Sequence, residues 1–590
     1  MIPRNTWPHT HYDIIQKYRA QYDSDIKSGD YEPWVYPWGT LGATIVIIYL
    51  LIDHRKRPWL RHARFAVFPA NLLHSVYTVK YVRAKTVATA FGVGLISLWS
   101  SIWVLAILVC HDGQSEFQRI ERSEGVFKGQ GKRVVKGDSR RNDNITAIPG
   151  SLSEDEIKDD SPIMNIDQDS QYKSSVNGRA SASISNDHLG PHERDGEFAW
   201  QPFPITPFIE RLDWVMDLFC NFRGVGWNWR TTAIPPPPKA IQLQLLRNTT
   251  TQAPPPSSFK RHSSQPTVYP TRRALLIANA KTLFIGYFAL DVIKTLVIHD
   301  PYFWGLVSAS PAPYLPWTPY LTRHPILLRI FRLTLAQFSI LYALQTVFAL
   351  APLFFAGVLG PNVLGARAEP WTYPDTWGPY SAVLDRGLGG WWSSWWHQTF
   401  RFAFEAPSRA ILVAVATMKK KKNEKGGEKT TQQQSLSSEE EEKLLKSKGA
   451  KALQLCIAFA LSGALHATGS YTAYGETHPF SGPMAFFALQ ALGCFVEAAF
   501  LRPFVASFGA PTWVKRSFTF VYVHVWFYHT AGMLCDDFAR AGIWLCEPLP
   551  VSVLRGLLGL GVEGDTWWLA GGSGIGWYSD AKWYRSGLAL

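Results

Sequence analysis

Charge is scarce in this 590-residue chain. Only 18% of its residues are Asp, Glu, Lys or Arg, whereas 25 Trp, 34 Phe and 23 Tyr supply bulky apolar surface. That balance argues against a string of soluble domains and for a membrane-type composition diluted by polar loops. Paired cysteines are also missing. The six, Cys110, Cys220, Cys456, Cys494, Cys535 and Cys546, show no CxxC spacing and mostly lie in or beside apolar runs, so they read as buried thiols. Among the 16 histidines only His188 and His192 stand at HxxxH spacing, in a polar stretch, and no HxxHH box is present, so the box set of a membrane di-iron desaturase or hydroxylase is missing and no metal is expected. A net charge of +13 without a continuous basic stripe or a nucleic-acid motif excludes nucleic acid as a partner. The basic clusters at 55–64 and 419–422 flank apolar runs, as cytoplasm-facing loops do. No internal repeat is visible, which leaves an inverted-repeat transporter little support. The first 25 residues lack the apolar core of a cleavable signal peptide, so targeting is expected to rest on the first membrane segment.

What the chain does have is long apolar runs. A bilayer crossing needs about 20 of them in a row, and conservative counting predicts an all-α polytopic integral membrane protein with eight to ten transmembrane helices. Residues 1–110 hold N-terminal membrane segments: a run at 34–52, a mixed run at 65–79 that suits an interfacial helix, and a clear span at 87–109. Residues 111–202 are rich in Ser, Asp, Lys, Arg and Gly and read as a disordered aqueous loop. Residues 203–270 carry an amphipathic helix whose Leu212, Val215, Met216 and Phe219 fall at helical spacing, then RGVGWNW, then a proline-rich linker. Residues 271–418 form the membrane core with the box WHQTFR. Within it Asp291 and Lys294, three apart, are placed to pair with each other, and 326–360 reads as a long tilted or proline-broken helix. Residues 419–451 are a charged, low-complexity insertion, and 452–590 hold four closing apolar runs, at 453–468, 484–501, 518–534 and 543–560. Asn144 and Asn248 fit the glycosylation pattern and would need a lumenal loop. The HTHYD motif at 9–13 fits the HxxxD pattern of soluble acyl-CoA transferases but is dismissed, because it precedes any expected folded core.

Two histidines stand out. His466 lies near the end of the apolar run LQLCIAFALSGALHAT, and His397 lies among four tryptophans in WWSSWWHQTFR. An ionisable group at membrane depth costs roughly 2.5 to 3.5 kcal/mol on insertion scales, so it faces a cavity or a partner. Gln490 and Glu497, seven apart on one face of a later run, are similarly costly in lipid and read as structural or tunnel-lining.

The order RGVGWNW, then WHQTFR, then SGALH resembles the membrane-bound O-acyltransferase superfamily, in particular its fungal wax-synthase-like branch, over about residues 208–534. The matching positions are Gly224, Gly226, Trp227, Asn228 and Trp229; Trp396, His397 and Arg401; and Ser462, Gly463, Leu465 and His466. The arginines that family versions of the middle box carry are absent here, where Ser393 and Ser394 stand. The resemblance implies an acyl-CoA-dependent O-acyltransferase in the bilayer, with acyl-CoA or acetyl-CoA as co-substrate, a lipophilic alcohol as acceptor and no resident cofactor. His466 would be the base and His397 the group that orients the thioester or donates to its oxygen. Trp396, Arg401, Asn228, Trp229, Gln490 and Glu497 would line the substrate path. The acceptor implied is a terpenoid or polyketide secondary metabolite receiving an acetyl group. The alternatives are a long-chain wax synthase and a membrane transporter. The endoplasmic reticulum is the default compartment.

Overall fold

The computed structural model describes residues 8–123, 196–248, 264–313, 315–424, 437–507, 509–568 and 575–590. It is mostly helical. Five helices are long and apolar enough to cross a membrane: Val87–Cys110, Arg272–Val297, Pro325–Leu359, Lys448–Thr472 and Phe480–Ser507. Phe284, Val358 and Phe500, on three of them, are 77%, 72% and 70% exposed, as side chains facing lipid would be. The protein is therefore a multi-pass membrane protein, but the expected eight to ten spans exceed the five that length and apolar character support among the described residues. Two runs explain most of the difference. The 543–560 run is no helix, because Pro548 and Pro550 separate short turns at Ile543–Leu545 and Val553–Leu557. The 518–534 run does belong to a 29-residue helix, Thr512–Arg540, whose histidines and tyrosines dilute its apolar character.

The all-helical expectation also needs correcting outside the long helices, where short strands tie distant parts of the chain together. Val35–Tyr36 pairs antiparallel with Gly587–Ala589, which in turn pairs with Gly576–Tyr578. Arg119–Arg122 pairs antiparallel with Phe198–Gln201. This second pair lies at the two ends of the stretch read as disordered over 111–202. Those ends carry Phe117, Ile120, Phe198 and Phe203, all buried, so they have the apolar surface that the polar middle lacks. Asn144 lies outside the described residues.

Other local readings shift for physical reasons. In the helix Phe208–Cys220 the buried face is Glu210, Trp214, Val215 and Leu218, while Met216 points outward, because Trp214 rather than Leu212 is the residue the core accepts. Part of the proline-rich linker is the helix Lys239–Arg247, held by buried Ile241 and Leu245. Pro352 ends the regular part of Pro325–Pro352, which continues as a π-turn over Leu353–Leu359. The charged insertion is helical on both sides of 425–436. Ser437 and Glu440 form a capping box for Ser438–Lys446, a helix with acids in its first turn and lysines in its last. Asp291 and Lys294 do not pair with each other. The Asp291 carboxylate accepts from the Ser552 hydroxyl and from the Val553 and Leu554 amides, and Lys294 donates to the carbonyls of Trp544 and Cys546. Of the cysteines, Cys494 and Cys535 are buried, but Cys220 and Cys456 are exposed.

Candidate active site

The helix Lys448–Thr472 delivers His466 to the centre of the bundle. Ser447 caps its first turn by accepting from the Ala450 amide at 3.2 Å. Three residues before the histidine, Gly463 has no side chain because there is no room for one. A Cβ there would lie 2.8 Å from the Met484 sulfur and 3.3 Å from Cβ of Phe487. The close approach this permits brings Phe487 onto His466, ring centroids 4.8 Å apart, while Phe538 stacks against it at 6.2 Å. His466 Nδ1 is 2.8 Å from the Ser462 carbonyl. A carbonyl only accepts, so Nδ1 carries the proton and the lone pair is on Nε2. The residue is only partly buried, and Nε2 has no protein partner among the described residues.

His397 follows the π-turn Trp391–Trp395. Gln398 holds the turn shut, its side-chain amide donating to the carbonyls of Trp392 at 2.9 Å and Trp396 at 2.6 Å. The imidazole sits in a cage of Phe348, Trp377, Trp396 and Phe400, with centroids 5.3 to 6.2 Å away, and its buried Nδ1 has no hydrogen-bond partner among the described residues. Burial pushes its pKa down to about 3, and the nearby His466 and Arg223 push the same way. The two histidines are thus close enough that charge on one penalises charge on the other. A continuous line of ring contacts also joins them: His466 to Phe487, Phe487 to Trp392 at 5.9 Å, Trp392 to Trp396 at 6.1 Å, and Trp396 to His397 at 5.3 Å.

The remaining residues singled out in the sequence support this centre from outside it. Arg401 donates to Glu405 at 2.6 Å and to the Ser393 carbonyl at 3.2 Å, bracing the tryptophan turn. Gln490 links two helices, donating to Thr530 and accepting from the Trp526 indole, both at 3.2 Å. Glu497 is buried, accepts from the Leu388 and Gly389 amides and is paired by Arg502 at 2.7 Å. In RGVGWNW, Gly224 adopts φ +69°, where an added Cβ would strike the Trp229 ring. Asn228 exchanges hydrogen bonds with Glu116 and Gln118, and Trp229 packs on Trp103 and Phe402. Arg223 donates to the carbonyls of Pro374 and Asp375, both at 2.8 Å, and so fixes the approach to the tryptophan segment. His524 bonds back to its own helix at Phe520 and is exposed, and His529 lines a separate cavity. Sequence reasoning missed Phe487, Phe538, Trp377 and Arg386, whose guanidinium reaches the Ser394 hydroxyl. Only Trp377 carried a signal, the aromatic density upstream of the histidine box.

Residues 373–489, which hold both histidines, match the model of the membrane bound O-acyl transferase family. Two fungal proteins are similar to the chain. An O-mevalon transferase of Penicillium terrestre is 23% identical over 294 residues, 49% of this chain and 53% of the relative. An O-mevalon transferase of Aspergillus niger is 22% identical over 342 residues, 55% of this chain and 61% of the relative. The chain thus spans little more than half the length of these curated relatives. No solved structure matches it. With the sequence boxes, these matches support kinship with the membrane bound O-acyl transferase family over the segment that carries both histidines.

Proposed function

We propose that the protein esterifies the hydroxyl of a lipophilic alcohol with an acyl group drawn from acyl-CoA. The observation that carries this reading is the Nδ1 bond of His466 to the Ser462 carbonyl, which leaves Nε2 unprotonated, with a neutral His397 joined to it through a line of aromatic rings. An alcohol is a poor nucleophile until its proton has an acceptor, and a neutral imidazole is matched to that task near pH 7. On this reading Nε2 of His466 takes the hydroxyl proton as the oxygen attacks the thioester carbonyl. His397 donates an N–H to the carbonyl oxygen as it gains charge. The tetrahedral intermediate collapses, the C–S bond breaks, and the CoA thiolate takes the proton back from His466. The surrounding Phe and Trp rings exclude water, which would otherwise compete as acceptor.

The donor is proposed to be acetyl-CoA and the acceptor a hydroxylated terpenoid or polyketide. The relatives are named for transfer of an O-linked mevalon unit, which makes a short oxygenated acyl group the second donor to test. The working compartment is the endoplasmic reticulum membrane. Microsomes containing the protein, supplied with labelled acetyl-CoA, mevalonyl-CoA or palmitoyl-CoA and a panel of alcohols, test the reading directly. His466→Ala should lower ester formation about 100- to 10,000-fold, the contribution of a positioned base. Equal product from wild type and variant would remove the proposed base.

A further inference from the structure

At the end of the bundle away from the lysine-rich 419–422 segment lies a cavity of about 290 Å³, lined in part by Arg329, His478, Ser481, His529, Asp536 and Arg540. Three long helices terminate there. Arg329 is in the second turn of Pro325–Pro352, Arg540 is the last residue of Thr512–Arg540, and His478 and Ser481 flank the start of the span Phe480–Ser507. Their cationic groups therefore sit at a rim of the apolar bundle, and exposed Phe480, Ile326 and Ile330 lie beside them.

The cavity is chemically unbalanced. Neither arginine has a carboxylate within ion-pair distance among the described residues, and the one carboxylate in the lining, Asp536, already accepts from the Tyr302 hydroxyl at 2.7 Å. The Arg329 guanidinium is held in place over the Tyr528 ring at 4.9 Å and lies 3.2 Å from where a Cβ on Gly532 would be. Two guanidiniums, that of Arg329 held on Tyr528, with histidine N–H groups and a hydroxyl nearby, form a donor set suited to phosphate oxygens. The cavity has no share in the acyl-transfer chemistry. Residues 529, 532, 533, 536 and 540 share one face of their helix, whereas Phe538, which touches His466, is two residues from 536 and about 160° round from it. The donor's phosphates are also a poor match. By the positive-inside tendency the lysine-rich end faces the cytosol, and this cavity lies at the other end.

We propose that this cavity binds the phosphate of a membrane phospholipid headgroup, with Arg329 and Arg540 on the phosphate and the acyl chains lying along the exposed apolar surface beside it. The test uses the full-length protein, purified in detergent and delipidated, titrated separately with dioctanoyl phosphatidylglycerol and with CoA, with ligand-induced thermal stabilisation as the readout. The double variant Arg329→Gln/Arg540→Gln should weaken phosphatidylglycerol binding about tenfold or more and leave CoA binding unchanged. Gly532→Leu, which fills the cavity without altering its charge, should do the same and carries the test if the double variant does not fold. Phosphatidylglycerol binding that is equal in wild type and Gly532→Leu would overturn the proposal. So would a loss of CoA binding with phospholipid binding intact, which would assign the arginines to the acyl donor.

Discussion

An imidazole acts as a base through one nitrogen only when the other already holds its proton, and at His466 the Ser462 carbonyl settles which nitrogen that is. His397 has no such partner, and its Nδ1 is buried and unpaired. That arrangement costs stability in the resting protein and, on the proposed mechanism, gives a donor that improves only as charge develops on a substrate oxygen. His397→Phe is therefore expected to lower kcat about 100- to 1,000-fold with little change in KM, and His397→Asn, which keeps an N–H donor, to recover part of the loss. Steady-state kinetics in detergent separate the two, and an unchanged kcat in His397→Phe would refute the donor role. A fully buried histidine away from the site gives a pH prediction. His11 is fully buried with neither ring nitrogen hydrogen-bonded. Burial, then Lys294, push its pKa down to about 3, against the pull of Glu547 3.9 Å away. Between that value and the ordinary 6.5 the unfolded chain binds a proton that the folded one refuses, so stability falls as pH drops through this window. His397 adds a loss of the same sign. The melting temperature should fall from pH 7.5 to pH 5, and His11→Leu should make that fall smaller. An identical pH profile for the variant would count against the linkage.

At the scale of the element, the site depends on how closely two helices approach at Gly463. Gly463→Ala places a methyl 2.8 Å from the Met484 sulfur, which must shift, and 3.3 Å from the Met484 Cα and the Phe487 Cβ, so it should lower the melting temperature slightly. Gly463→Leu forces the Phe480–Met484 turn and Phe487 away from His466, an overpacking cost of about 1 to 3 kcal/mol. It should lower both the melting temperature and ester formation, and a fully active Gly463→Leu would show that the contact with Phe487 is dispensable. The glycine and histidine were legible in the sequence because the box that contains them is local, and one helical turn relates Ser462 to His466. The partners were not legible. Phe538 lies 72 residues further on, and nothing in its neighbourhood distinguishes it from the other apolar residues of its run. Likewise Arg401 and Asn228 could be picked out as box residues, but whether they meet substrate or backbone depended on Glu405, Ser393, Glu116 and Gln118. The same limit applies to Asp291 and Lys294, which are close in sequence yet each engaged by the C-terminal segment.

That segment shows what the whole molecule adds. The N-terminal helix His11–Ser28, read from the sequence as preceding any folded core, packs Tyr18 and Tyr22 against Trp304, Tyr474 and Leu545. Tyr12 donates to Asp565 at 2.6 Å, and His11 lies over a buried group in which Glu547 accepts from Arg555 at 2.6 Å and sits 3.6 Å from Lys294. Residues 11–28 therefore cover an ionic cluster that links the Arg272–Val297 helix to the C-terminal turns. A buried ion pair short of one member loses about 3 to 5 kcal/mol, which sets the scale for losses at Glu547, and the helix buries His11, Tyr18 and Tyr22 besides. Removing residues 1–28 takes away no residue of the proposed site. It is nevertheless expected to lower the melting temperature in detergent by more than any single substitution above and to abolish ester formation at growth temperature, with Glu547→Gln producing a smaller loss in the same direction. Fluorescence-detected size-exclusion chromatography on the truncated chain decides the point. A monodisperse, fully active truncation would show that the catalytic helices hold together without the N-terminal clamp.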